Sequence, residues 1–282
     1  MRFFKKNVSA SDLWVRSSER LSDFYTSSWQ PGESAVPVLL VRGCLLAAAA
    51  GVLVWSLFLN MAGGPSAYWL IYLTNWGQML NTAFFLSGFI VSCRAATSKL
   101  PEYEVTPWYI SVYWLLFNVG TGIAILITVL YWTLVFKPED ERELQVFWLD
   151  VSTHGFNSCL VIIELLTCRT PVRALHVYQP LAIGLGYLAF TGIYYAAGGL
   201  ASTGEPFIYP VLDWRNAGQI AVIVVVAVFI LLVTYAVVMV GSHKRFASEF
   251  VFRKKKHTTY TKNIDLLCLQ YAIFYLEIRL FS

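Results

Sequence analysis

Apolar residues run through this chain in long blocks, and polar residues gather in the short stretches between them. Six blocks stand out, at about 43–61, 67–93, 108–136, 147–168, 175–198 and 217–241. Each holds roughly twenty apolar positions, the length that crosses a hydrocarbon layer as a helix. Water does not reach that layer, so each block must satisfy its backbone N–H and C=O groups internally. The expected fold is therefore all-α and integral to a membrane, a bundle of about six transmembrane helices. The connections are short: Ala62 to Ser66, Arg94 to Pro107, Lys137 to Val146, Arg169 to Ala174 and Gly199 to Asn216. They divide the chain into a polar segment, 1–36, a bundle, 37–241, and a basic tail, 242–282, with no room for a separate soluble domain.

Composition agrees with this pattern. The 282 residues are 57% hydrophobic and only 13% charged, against about 45–50% and about 25% in soluble domains. So few charges could not cover a water-facing surface, which argues against a soluble enzyme, a disordered chain or a nucleic-acid-binding domain. The net charge of +4 is mild, and basic residues here report topology. With alternate connections on opposite sides, 18 Lys and Arg fall on the side of both termini and 3 on the other. That ratio expects cytoplasmic termini, in the plasma membrane or the endoplasmic reticulum. The sequon Asn7-Val8-Ser9 should then go unused.

Residues 1–36 lack an early apolar core, so no cleavable signal is expected. The run Arg253-Lys-Lys-Lys suits an anionic membrane surface. Residues 266–281 are apolar but short and interrupted, which leaves an interfacial helix or a further crossing open. The five cysteines have no paired spacing, and neither a disulfide framework nor a zinc site is expected. Cys93 and Cys168, each beside an arginine at a block's end, suit S-palmitoylation or an ordinary membrane edge. No HExxH, GxSxG, P-loop or dinucleotide motif is present, so no metal and no cofactor is expected. The expected partner is the lipid bilayer, with a lipid ligand in the bundle and no nucleic acid.

Polar groups inside hydrocarbon are costly, and two blocks concentrate them. The second carries Thr74, Gln78 and Asn81 at i, i+4 and i+7, with Asn75 beside them. The fourth carries Asp150, His154, Asn157 and Glu164 on one face, with Val161 completing the row. Both stripes should face the bundle interior. Thr74 and His154 each lie seven residues past the expected outer start of their block, ~10 Å below the boundary at the helical rise. A hydroxyl and an imidazole at one level suggest a nucleophile and its base, with Asp150 orienting the ring. The other reading is hydrogen-bonding glue between helices. Glu164 is expected to be neutral and hydrogen-bonded, paired with Arg169, or handling ions. Asn118 and Thr121 of the third block would line the same interior.

Several short motifs recur in a familiar order: Tyr72-Leu73-Thr74-Asn75-Trp76-Gly77, His154-Gly155-Phe156-Asn157-Ser158, Glu164, and Ile208-Tyr209-Pro210-Val211-Leu212. Together they resemble the rolling stone family over roughly residues 40–240. That family is similar in turn to the androgen-induced and androgen-dependent membrane hydrolases. The resemblance implies two things. Rolling stone is associated with myoblast fusion, without established chemistry, so a non-enzymatic role in cell–cell fusion or membrane organisation is expected. The hydrolases cleave fatty-acid esters of hydroxy fatty acids with an intramembrane threonine, and Thr74 matches it. Their catalytic histidine falls on Asn157 here, and an amide has no titrating group with which to act as a base. Hydrolysis would then fall to Thr74 with His154. A transporter is a third class, for which more intramembrane charge and an internal repeat would be expected.

Overall fold

A computed structural model describes residues 20–30, 32–63, 66–98, 106–137 and 144–242. Among them every regular element is helical. The helices are α1 (Val36–Gly63), α2 (Leu73–Thr97), α3 (Trp108–Leu130), α4 (Leu144–Val151), α5 (Asn157–Thr167) and α6 (Tyr178–Ala196), followed by α7 (Ala217–Ser242). A π-helical turn, Tyr131–Val135, extends α3, and another, Ser152–Phe156, joins α4 to α5. The sequon at Asn7, the Arg253–Lys256 cluster and residues 266–281 lie outside the described residues. The chain divides at Met239. The bundle belongs to the first unit, and of the second, Val240–Ser282, only the last three residues of α7 are described.

Five helices are long and apolar enough to cross a membrane: Val36–Met61, Leu73–Thr97, Trp108–Val135, Leu144–Thr167 and Ala217–Ser242. They correspond to five of the six expected blocks. The remaining block forms α6, which is shorter and is diluted by Gln179, Pro180 and the tyrosines at 178, 187, 194 and 195. Membrane character is thus plain, while a sixth crossing does not follow from length and apolarity.

The third span is the hub. Its most apolar stretch is 72% buried, against 33% or less in the other four. Phe84 and Phe85 of α2 pack with Tyr113, Trp114 and Phe117 of α3 in the main core. The outward faces are apolar too, with Phe58, Met61, Val225, Phe229 and Val237 each more than 60% exposed. Such a surface suits lipid rather than water.

Part of the polar segment before α1 is not peripheral. Leu21 and Phe24 are fully buried in the main core. Ser28 N donates to Thr167 O at 2.9 Å, and Trp29 Nε1 to Leu166 O at 2.7 Å. These carbonyls end α5 and have no partner further along the helix. The segment thus caps that helix and closes one end of the bundle.

Arg42 is likewise not a surface charge. It is fully buried and pairs with Glu164, Nη2 to Oε1, at 2.8 Å. Its guanidinium also donates to the carbonyls of Phe24 and Gly88, to Ser92 Oγ and to Tyr113 Oη. Glu164 therefore finds its partner on α1, and its carboxylate, which also accepts from Tyr113 Oη, joins α1, α3 and α5.

Candidate functional site

The chain breaks between a 3-10 helix at Ser66–Ile71 and α2. Tyr72 is extended, with φ −90° and ψ 130°, so α2 starts at Leu73 and not near residue 67. An apolar run conceals such a break, because hydropathy does not register a single turned peptide. Thr74 is consequently in the first turn of α2 and not two turns into a helix.

The residues after it hold that corner. Asn75 Nδ2 donates to Trp69 O at 2.6 Å, and Trp76 Nε1 donates to Leu70 O at 2.7 Å. Both carbonyls lie at the end of the 3-10 helix, where the backbone offers no partner. A Cβ on Gly77 would fall 2.5 Å from Ile127 Cδ1, so a bare α-carbon lets α2 approach α3. In Thr74-Asn75-Trp76-Gly77, three residues build the corner and Thr74 faces the open space beside it.

That space is a cleft of about 980 Å³. Thr74, Asn75, Asp150, His154, Tyr131 and Tyr209 are among the side chains lining it. Tyr209 comes from the connection between α6 and α7. Its phenol is within reach of the Thr74 hydroxyl and of the first amides of α2. Burial pushes that phenol up, and the hydrogen bonding pulls against it without cancelling it. At neutral pH it is therefore protonated. No side chain of Tyr72 caps α2, and Tyr209 occupies the place where a cap would sit.

The opposite wall is built from the two π-helical turns. Such turns add a residue to a helix, re-aim the side chains within it and often mark functional sites. Tyr131 opens one turn and His154 lies in the other. Their rings stack with centroids 3.4 Å apart and planes 6° apart. His154 Nε2 lies 3.9 Å from Asp150 Oδ1, one helical turn away. The backbone carbonyl of His154 accepts the Thr128 hydroxyl, which also meets Ser158 Oγ at 2.6 Å. The imidazole is thus held by stacking, by a carboxylate and through its own backbone.

The structure brings together Thr74, Asn75, Asp150 and His154. It does not bring the other candidates to the same place. Gln78 and Asn81 are 2% and 1% exposed, inside the bundle and not on the cleft wall. Asn81 Oδ1 lies 2.8 Å from where a Cβ on Gly120 would stand. Asn157 is buried at the start of α5 and is not among the cleft residues. Glu164 belongs to the ion pair with Arg42. Asn118 bonds His176 Nδ1 through its amide at 3.0 Å, apart from the cleft. Among the described residues, no group of three or more His, Cys, Asp or Glu could hold a metal ion.

Sequence reasoning gave no role to Tyr131, Tyr72 or Tyr209. For Tyr209 a signal was present in the Ile208-Tyr209-Pro210 motif. Tyr131 gave none, since an aromatic residue at the end of an apolar block reads as an interfacial anchor.

The family model described as Protein rolling stone matches residues 2–258. Protein rolling stone of Drosophila melanogaster is 28% identical over 234 residues, covering 80% of this chain and 83% of that protein. No solved structure matches. With the motif order and the helical architecture on the same footing, the chain belongs to the rolling stone family.

Proposed function

We propose that this chain is a non-catalytic multi-pass membrane protein whose cleft holds an amphiphile, and that it acts in membrane organisation, cell–cell fusion included. One observation carries the reading. The hydroxyl that matches a hydrolase nucleophile has the protonated phenol of Tyr209 beside it. A threonine needs a base to attack an ester, and a phenol pushed up by burial does not accept a proton at neutral pH. Asp150 faces His154 Nε2, and the ring's other nitrogen, Nδ1, is buried. A base serving a substrate in the cleft would need a nitrogen opening onto it.

The second reading is an intramembrane threonine hydrolase of lipid esters. Its support is that Thr74, Asp150 and His154 line one cleft. A fluorophosphonate probe on the full-length protein in membranes separates the two. The proposal expects no labelling of the wild type, and none after Asn157→His, because residue 157 is off the cleft wall. Labelling of the wild type that disappears in Thr74→Ala would establish the hydrolase instead. The plasma membrane or the endoplasmic reticulum is the proposed location, with both termini in the cytoplasm.

A further inference from the structure

The chemistry of the cleft wall has a definite sign. Five aromatic side chains line it: Tyr68, Trp69, Tyr72, Tyr131 and Tyr209. Among the described residues, one carboxylate, Asp150, and one imidazole, His154, join them, and no Lys or Arg does. Tyr72 and Tyr209 meet edge to face, with centroids 5.8 Å apart and planes at 71°. Two rings at that angle form adjoining walls of a corner. A cation is attracted to an aromatic face within about 6 Å of its centroid, and an aromatic corner in a cleft that also carries a carboxylate suits a weakly hydrated ammonium.

Among the described residues, no Lys or Arg lines the wall to meet an anionic headgroup. The volume of about 980 Å³ exceeds what an ammonium alone would fill and lies at the upper end of the range for small-molecule sites.

We infer that the cleft recognises a quaternary ammonium, the headgroup of a choline-bearing lipid or a free ammonium of the same kind, through its tyrosine corner and Asp150. This rests on the reading of the cleft as a binding site and names its ligand class. The Thr74 hydroxyl and Asn75 supply neutral polar contact, and the apolar residues Leu59, Val146 and Leu149 are among those that line the rest of the wall.

The test uses the purified full-length protein in a non-ionic detergent. Calorimetric titrations compare dihexanoylphosphatidylcholine, dihexanoylphosphatidylglycerol and tetramethylammonium, for the wild type, Asp150→Asn and Tyr72→Leu. The expected result is phosphatidylcholine binding about tenfold tighter than phosphatidylglycerol, weakened about three- to tenfold by either substitution. Displacement of the phosphatidylcholine by tetramethylammonium supports a site that reads the ammonium alone. Its failure to displace, with the substitutions still weakening binding, supports a site that needs the lipid as well. Equal binding of the two lipids, or substitutions that change affinity less than about twofold, would overturn the ammonium assignment and leave a lipid cleft standing. No binding of either lipid by protein with a normal unfolding transition would remove the cleft reading itself.

Discussion

Arg42 and Glu164 stand 122 positions apart in the chain and form an ion pair at 2.8 Å, with side chains 0% and 1% exposed. The pair is a junction. Arg42 reaches Phe24, Gly88, Ser92 and Tyr113, while Tyr113 Oη bonds both Glu164 Oε1 at 3.0 Å and Thr170 Oγ1 at 2.9 Å. Removing one partner would strand the other charge without water. Arg42→Met and Glu164→Leu are each expected to destabilise the protein by about 3–5 kcal/mol, and the double substitution by less than the sum of the two. Thermal unfolding in detergent checks this. Single variants that melt with the wild type would show that the pair carries no stability.

The corner before α2 makes a second expectation. Asn75→Leu removes the donor to the Trp69 carbonyl and leaves that buried acceptor unmatched. The cost should be about 1–3 kcal/mol. Trp76→Phe removes the donor to Leu70 and should cost less, because that contact is exposed. Unfolding midpoints of the two variants, ranked in that order, would support the corner as described.

Gly77 faces Ile127 Cδ1 across the α2–α3 contact. Gly77→Ala should force Ile127 Cδ1 aside, at a cost of about 1 kcal/mol or less once the better helix propensity of alanine is counted. Ile127→Val deletes that methyl and should restore part of the loss, a coupling that a double-mutant cycle measures. Purely additive effects would place the strain elsewhere.

Topology is open to direct labelling. Ser202, in the α6–α7 connection, and Ser98, at the end of α2, are both exposed. The excess of Lys and Arg on one side expects Ser202→Cys to react with an impermeant maleimide in intact cells, and Ser98→Cys to react only after permeabilisation. The reverse pattern would turn the proposed orientation over.

Much of the architecture was legible along the chain, and the reason is local. A helix in hydrocarbon must be long, apolar and internally hydrogen-bonded, so five spans show in the hydropathy of their own residues. The sixth block shows as a helix, yet its tyrosines, Gln179 and Pro180 leave it short of a clear crossing. The polar stripes were legible too, because helical periodicity places Asp150 and His154 one above the other wherever that helix packs. Thr74 and His154 at one level came from counting residues, and they do line one cleft. The continuous helix assumed in that count is not there, since a 3-10 helix ends at Ile71 and Tyr72 turns the chain just before Thr74.

What the sequence by itself determined is therefore the membrane class, the helices and the family, all set by composition, periodicity and motif order within short stretches. The tertiary structure decided the partners. Arg42 looks like any flanking basic residue until packing buries it against Glu164. Tyr209 is a loop tyrosine until the connection between α6 and α7 folds back onto α2. Tyr131 and His154 stack only because two π-helical turns on separate spans face one another. Each of these relationships joins residues far apart in the chain, and only the closing of the bundle brings them within contact distance.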